Sequence, residues 1–457
     1  MIQLLVASSS FQLMCLAAML DTRSLPDADR RVLVLANGSI CPELTVPLDE
    51  GPGFDSVAAR FDNVVDLGAL TAPRRAGAWN PRTEELVTFE RLLRQAWDLG
   101  DEPVTLVVES IQVNPAQALA RIFHDAPIIV HSDGLMSYGP TRNKLPRIIT
   151  QRIIGTCHVD LVPGLEPVLL RELAPERQVV PLSALQTVFE ELVRDDSPGS
   201  ELPEVPGNHA LVLGQYLGAL GLLDADQELE LHLRMLQCAA DQGLNHIVFK
   251  PHPSSSPAAT YRLATLAAER GLGFTWLRSP LLAETVISRM KPTLVVSCFS
   301  TALATAQFML RVPVCAVGTG QLLKVLAPYQ NSNRIPLSLI HALFVEDYPV
   351  PADVPEGSTD MLGELVKAIA FCMQADQLPM LRPAAERFLQ SSYGQSSGYF
   401  KRRRLAALDL PPRWAHPAGH RHPVVRLRRA AGRKVRGLRR RSARVVKQVA
   451  QKLDVKA

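Results

Sequence analysis

The apolar positions of this chain fall in short runs rich in Val, Ile and Leu, separated by stretches in which apolar residues recur every three or four positions. Unbroken apolar runs predict strands buried on both faces, and the 3.6-residue spacing between them predicts the helices that cover those faces. In the first half the strand runs are 2–7, 31–36, 64–67, 104–109, 127–131 and 158–162, with helical spacing over 84–97 and 115–123. In the second half strands at 210–213, 246–250, 274–277, 294–297 and 312–317 alternate with helices over 227–242, 258–270, 282–289 and 301–310. Such alternation predicts two α/β domains with parallel, doubly wound, Rossmann-like sheets. Between the two series, residues 195–208 are rich in Pro, Gly and acidic side chains, the composition of an interdomain linker. The expected division is 1–194, a linker at 195–208, 209–400, and a separate stretch at 401–457.

Length and charge sharpen this outline. A chain of 457 residues, 47% apolar, exceeds the roughly 250–300 residues that one core can serve, so two cores are expected. Seven cysteines without any Cys-x-x-Cys spacing read as buried thiols in a reducing compartment rather than as a zinc site or disulfide framework. No apolar run is long enough to cross a membrane. The apolar start lacks a basic flank and carries Ser8, Ser9, Ser10 and Gln12, so it reads as a strand and helix rather than a signal peptide, and a cytoplasmic protein is expected. The net charge of +4 conceals an asymmetry: the last 57 residues hold 19 of the 49 basic groups and two of the 45 acidic ones, a charge of +17 against −13 for the rest. Within that stretch Val424, Leu427, Ala431, Val435, Leu438, Val445, Val449 and Leu453 follow helical spacing among arginines and lysines. This is the pattern of a basic amphipathic helix for an anionic membrane surface.

Candidate chemistry collects at three strand ends, where open α/β sheets usually hold ligands. The run 246–250 leads into Lys250-Pro251-His252-Pro253, and the two prolines fix the backbone on either side of the imidazole. The run 127–131 leads into Ser132-Asp133-Gly134, an acid before a residue that permits a sharp turn. The run 294–297 leads into Ser300-Thr301 at the start of a helix, hydroxyls that serve either as an N-cap or as donors to an anion. Each motif has an ordinary structural use alone; together they point to a site. The polar exit 109–114, Glu-Ser-Ile-Gln-Val-Asn, has the character of a cleft wall.

An acid plus glycine, then Lys-x-His-Pro, then a Ser-Ser/Thr pair resembles the bacterial sialyltransferases. The similarity is greatest to their polysialyltransferase-like (alpha-2,8-polysialyltransferase) group, over most of residues 1–345. One position departs: the first acid of the acid-acid-glycine signature is Ser132 here. The resemblance implies a GT-B architecture, two such domains facing a cleft. It also implies sialyl transfer from CMP-sialic acid to a glycan hydroxyl with inversion, and no metal. Asp133 then matches the general base, and His252, with Pro253 beside it, matches the phosphate holder and catalytic group along with Ser300 and Thr301. Lys250 matches a lysine near the cytosine, Glu284 a glutamate on the ribose, and Gly214 and Gln215 the first turn of the donor domain. Arg142, Lys144 and Arg147 follow the Asp133 loop and are candidates for the sialic acid carboxylate by position. The expected partners are a CMP-sugar donor, a glycan acceptor, possibly lipid-linked, and the inner membrane face through 401–457.

Two other readings use the same residues. Another cytidine donor, a CMP-ulosonic acid or a CDP-polyol used in capsule or wall polymer, would need the same phosphate contacts. A non-catalytic nucleotide- or sugar-binding body with a nucleic-acid-binding tail would leave the motifs idle, and the tail offers one aromatic, Trp414, for base stacking. Nucleic acid is therefore not an expected partner. Asp27-Ala28-Asp29 and Asp224-Ala225-Asp226 match the Asp-x-Asp of metal-dependent glycosyltransferases, but the latter reads better as a helix start. Gly318-Thr319-Gly320 lacks the third glycine of a dinucleotide fingerprint.

Overall fold

The computed structural model describes all residues except 40–44, 195–200, 219, 253–254, 345, 352–358 and 416–457. It contains two parallel sheets. The first has seven strands, β1 (Ile2–Ala7), β2 (Arg30–Leu35), β3 (Asn63–Asp66), β4 (Val104–Val108), β5 (Ile128–Ser132), β6 (Ile153–Val159) and β7 (Glu176–Val180), in the order β3-β2-β1-β4-β5-β6-β7. The second has five, β8 (Ala210–Leu213), β9 (His246–Lys250), β10 (Gly273–Trp276), β11 (Leu294–Ser297) and β12 (Val314–Ala316), in the order β10-β9-β8-β11-β12. In each sheet the chain starts at a central strand, winds outward to one edge and returns to wind the other way. A topological switch point therefore lies between β1 and β4 and another between β8 and β11.

The strands are apolar throughout because both faces are covered. Along β1, Ile2, Leu4 and Val6 enter one buried cluster while Leu5 and Ala7 enter the cluster on the opposite face. The pair of doubly wound domains facing a cleft is the GT-B arrangement. The domains share an apolar seam: Leu135, Tyr138 and Leu165 from the first pack in one cluster with Leu339, Val366 and Ile369 from the C-terminal helices. Beyond those contacts, Gln374 Nε2 donates to Arg142 O at 2.7 Å, and Arg289 donates to Val193 O at 3.1 Å.

Three features differ from the pattern-based reading. The strand expected at 158–162 is β6, running from Ile153 to Val159. Leu161 and Val162 continue the apolar run because they are buried in the turn that follows, not because they pair. The edge strand β7, Glu-Arg-Gln-Val-Val, exposes most of its side chains and so carries no apolar signal. The charge boundary at 401 also falls inside the folded body. The helix Arg402–Leu408 packs Leu405 into the core, Leu410 and Ala415 are buried, and Lys401 donates to Leu323 O at 3.1 Å. The amphipathic stripe beginning at Val424 lies outside the described residues.

The six described cysteines are free and buried; Cys41 lies outside the described residues. No described helix is long and apolar enough to cross a membrane.

Candidate active site

The carboxyl ends of the strands at both switch points open on a shared cavity of about 500 Å³ between the domains. That volume lies within the usual range for small-molecule sites. Glu109, Asp133, Gly134, Leu135 and Phe11 form the wall from the first domain. Gly214, Lys250, Pro251, His252, Glu284, Ser300 and Thr301 form the wall from the second, with Asn333 and Pro336 closing one side.

The two walls meet at the motifs. A Cβ placed on Gly134 would stand 3.6 Å from the Thr301 hydroxyl, so the turn after β5 lies directly opposite the helix start after β11. Asp133 is half-buried, and the dense protein around its carboxyl raises its pKa above the ordinary carboxylate value. Ser300 does cap the helix that follows, accepting from Ala302 N at 3.2 Å. Because that bond uses the oxygen as acceptor, the hydroxyl proton of Ser300 is still available to an anion.

His252 extends from the exit of β9 and is accessible from the cavity. Tyr216 stacks on it with ring centroids 5.2 Å apart and planes 6° from parallel, a contact that spacing in the sequence gives no sign of. Surrounding protein and the neighbouring Lys250 charge lower the pKa of His252 below the usual imidazole value. The lowered pKa favours the neutral ring, which donates a hydrogen bond through one nitrogen only.

Lys250 donates to Ser279 O at 3.2 Å, and burial lowers its pKa while Glu284 opposes the shift. Glu284 is 4% exposed and accepts from Thr305 Oγ1 at 2.8 Å; its pKa is raised by burial and held back by that bond and by Lys250. Gly214 donates its N–H to Lys250 O at 2.8 Å, and a Cβ there would come 2.9 Å from the Phe249 ring and 3.1 Å from Pro251 Cα. Only glycine permits this close approach of β8 to the turn that carries His252.

Some expected residues are not brought together. Gln215 faces the interior: its Nε2 donates to Ser297 Oγ at 3.0 Å and its N–H to His232 Nε2 at 3.0 Å, so it supports the turn and does not line the cavity. Arg142, Lys144 and Arg147 are exposed and absent from the cavity wall. Pro253 lies outside the described residues. Asp224 caps the helix Ala225–Ala240, accepting from Gln227 N at 2.8 Å, and Asp29 pairs with the terminal amine of Met1. Gly318, with φ of 79°, precedes the helix Thr319–Val325 and lies away from the cavity wall.

Residues 3–319 match the family model described as alpha-2,8-polysialyltransferase (POLYST). A search of curated proteins gave no match. Among solved structures, the chain is similar to a 2,6-sialyltransferase of Vibrionaceae Photobacterium sp. JT-ISH-224 in a ternary complex with the donor product CMP and the acceptor substrate lactose. That match has 12% identity, a TM-score of 0.37, and covers 74% of this chain and 75% of that one. The GT-B domain of a sialyltransferase from Photobacterium damselae is similar at 13% identity and a TM-score of 0.38, over 74% of this chain and 95% of that one. MurG of Acinetobacter baumannii is similar at 13% identity and a TM-score of 0.37, over 87% of this chain and 97% of that one.

Proposed function

The chain belongs to the alpha-2,8-polysialyltransferase family, and on that premise we propose that it moves sialic acid from CMP-sialic acid to a glycan hydroxyl by a single inverting displacement. The observation that carries this reading is the opposition of Asp133-Gly134 to Ser300-Thr301 across one cavity, with His252 on the same wall. Asp133 takes the proton of the acceptor hydroxyl as the new glycosidic bond forms. The sugar passes through an oxocarbenium-like state, and the bond to phosphate breaks with its electrons leaving on CMP. His252, Ser300 and Thr301 donate hydrogen bonds to the charge that develops there, and Lys250 adds a positive charge nearby. Attack from the face opposite the departing phosphate inverts the anomeric carbon. Glu284 and Lys250, on the same wall, are assigned to the ribose and base of the nucleotide.

The test is incubation with CMP-sialic acid and a sialylated oligosaccharide, with release of CMP and lengthening of the acceptor as the expected result. Thermal-shift titration separates donor classes, because a ligand at about 100 times its Kd adds about 2.7 kcal/mol to the folded state. CMP is expected to raise Tm and UMP to leave it unchanged. Stabilisation by CDP in place of CMP would favour a diphosphate donor, and stabilisation by uridine nucleotides alone would overturn any cytidine donor.

The basic stretch from 416 onward lies outside the described residues, and its assignment to an anionic membrane surface rests on the stripe of Val and Leu among arginines. Such placement would suit an enzyme extending a lipid-linked acceptor at the inner membrane face. A chain ending at Ala415, which keeps Leu405, Leu410 and Ala415 in the core, is the suitable truncation. It is expected to retain transfer to a soluble acceptor and to lose sedimentation with anionic liposomes. Equal sedimentation of both chains would refute the assignment, and a gel shift surviving above physiological salt would favour nucleic acid instead.

A further inference from the structure

Ser132 leaves the acid-glycine motif one carboxyl short, yet the cavity wall holds a second carboxyl from another strand. Glu109 directly follows β4, which pairs with β5 so that Val108 lies opposite Val130. By the alternation of side chains along paired strands, Glu109 and Asp133 then fall on the same face of the sheet, the one covered by the helix Ser10–Asp21. Ser110 adopts a left-handed φ of 47°, which turns the chain away immediately after Glu109 and leaves its carboxyl at the strand end. The Ser110 hydroxyl donates to Glu109 Oε1. Gln12, on the covering helix, accepts at Oε1 from Ser8 N at 2.7 Å and from Ser8 Oγ at 2.9 Å. Those bonds use the amide oxygen as acceptor and leave its NH2 group on the side chain of the helix that covers this face.

We propose that Glu109 supplies the second carboxyl the motif lacks, the two carboxyls on this wall sharing one proton so that the pair presents a single negative charge to the anionic donor. This rests on the reading of Asp133 as the base for sialyl transfer. In the reaction the acceptor O–H bond breaks as the glycosidic bond forms, and its proton passes to Asp133. The bond between the anomeric carbon and phosphate oxygen breaks with its electron pair on CMP. The pair then holds two protons, and one returns to solvent. Glu109 is a positioning residue, since it acts through Asp133.

The surroundings leave this pair as the near-neutral acid of the first-domain wall. Cys15, on the covering helix, is a buried thiol pushed well up. His131, on β5, is buried, bonded to Val6 O at 2.9 Å and held down at about 4. The charged or titratable groups across the cavity are Lys250, His252 and Glu284. Burial and the Asp133 charge lift Glu109 to about 7. As pH rises through that value the pair gains its second charge and repels the donor.

Glu109→Gln keeps the shape and stays neutral. For the natural chain, KM for CMP-sialic acid is expected to rise roughly tenfold from about pH 6 to about pH 8.5, the equivalent of one pKa unit of interaction. In E109Q it is expected to stay within about twofold over that range, and Glu109→Asp is expected to restore the rise. A glutamate of purely structural use would instead change KM or kcat alike at every pH. Infrared titration of the protein without substrate gives a second readout: a protonated-carboxyl band that disappears near neutrality in the natural chain and in Glu284→Gln, which removes the other buried carboxyl of the cavity, and is missing when E109Q is combined with E284Q. If the natural chain does not use CMP-sialic acid, the transfer reading falls while the infrared titration still decides the carboxyl pair. A KM rise that persists in E109Q, or a carboxyl band titrating near neutrality that persists in the E109Q/E284Q variant, would overturn the proposal.

Discussion

Asp133→Asn is expected to lower kcat/KM for sialyl transfer by about 10²–10⁴-fold, the usual contribution of a positioned general base, while the thermal shift caused by CMP is retained. The replacement keeps the size and most hydrogen bonds of the side chain and removes its capacity to take the acceptor proton. The candidate donor-binding residues Lys250, His252, Glu284, Ser300 and Thr301 lie on the opposite wall, so CMP binding is expected to survive the change and, with the Asp133 charge removed, to hold or tighten. Stability provides the control. Burial raises the Asp133 pKa, so the folded chain binds this proton more tightly than the unfolded chain does. The carboxyl then costs stability as pH rises above its unfolded value and through its folded one. At neutral pH a neutral asparagine is expected to leave Tm unchanged or higher. Full turnover by D133N would remove Asp133 as the base.

The phosphate side is expected to show the complementary pattern. His252→Ala, and separately the pair Ser300→Gly with Thr301→Val, are expected to cost about 10²–10³-fold in kcat each and to weaken the CMP thermal shift, because these donors meet charge that grows as the phosphate departs. Glycine is chosen at Ser300 because it replaces an N-cap at a cost of only a few tenths of a kcal/mol, whereas alanine costs about 1 kcal/mol. His252 has a further signature. Its pKa is lowered by burial and by Lys250, so a bound phosphate that favours the imidazolium draws a proton from solution. Calorimetry of CMP binding in buffers of different ionisation enthalpy is expected to show proton uptake near neutral pH, stronger CMP binding as pH falls towards 6 (about one unit below neutrality), and no uptake in H252A. Unchanged kcat and CMP binding in both variants would place the phosphate elsewhere.

Much of the framework is legible without coordinates because buried parallel strands must be apolar on both faces. The runs at 246–250 and 294–297 coincide with β9 and β11, and the motifs that follow them do leave the sheet at its carboxyl edge. Elements at the sheet edge and at the C-terminus are less legible. Strand β7 is half solvent-facing and polar, and the helices Arg334–Leu343, Thr359–Met373 and Arg382–Ser396 form no strand-helix alternation to betray them. Charge misplaces the end of the body, since Lys401 and Arg404 bond backbone carbonyls of the core rather than solvent or lipid.

By itself the sequence determined the two βα series, the polar strand exits carrying Asp133, Lys250, His252, Ser300 and Thr301, and the departure at Ser132, because each depends on residues adjacent in the chain. Tertiary structure decided which of those exits share a cavity, since that depends on how two sheets face one another over a common apolar seam. It turned Gln215 inward onto Ser297 and His232, stacked Tyr216 on His252, and left Arg142, Lys144 and Arg147 outside the wall. It also set Glu109 beside Asp133, twenty-four positions apart in the chain. Parallel pairing of β4 with β5 aligns their carboxyl ends, and so brings to one cavity wall two carboxyls that the sequence holds in separate motifs.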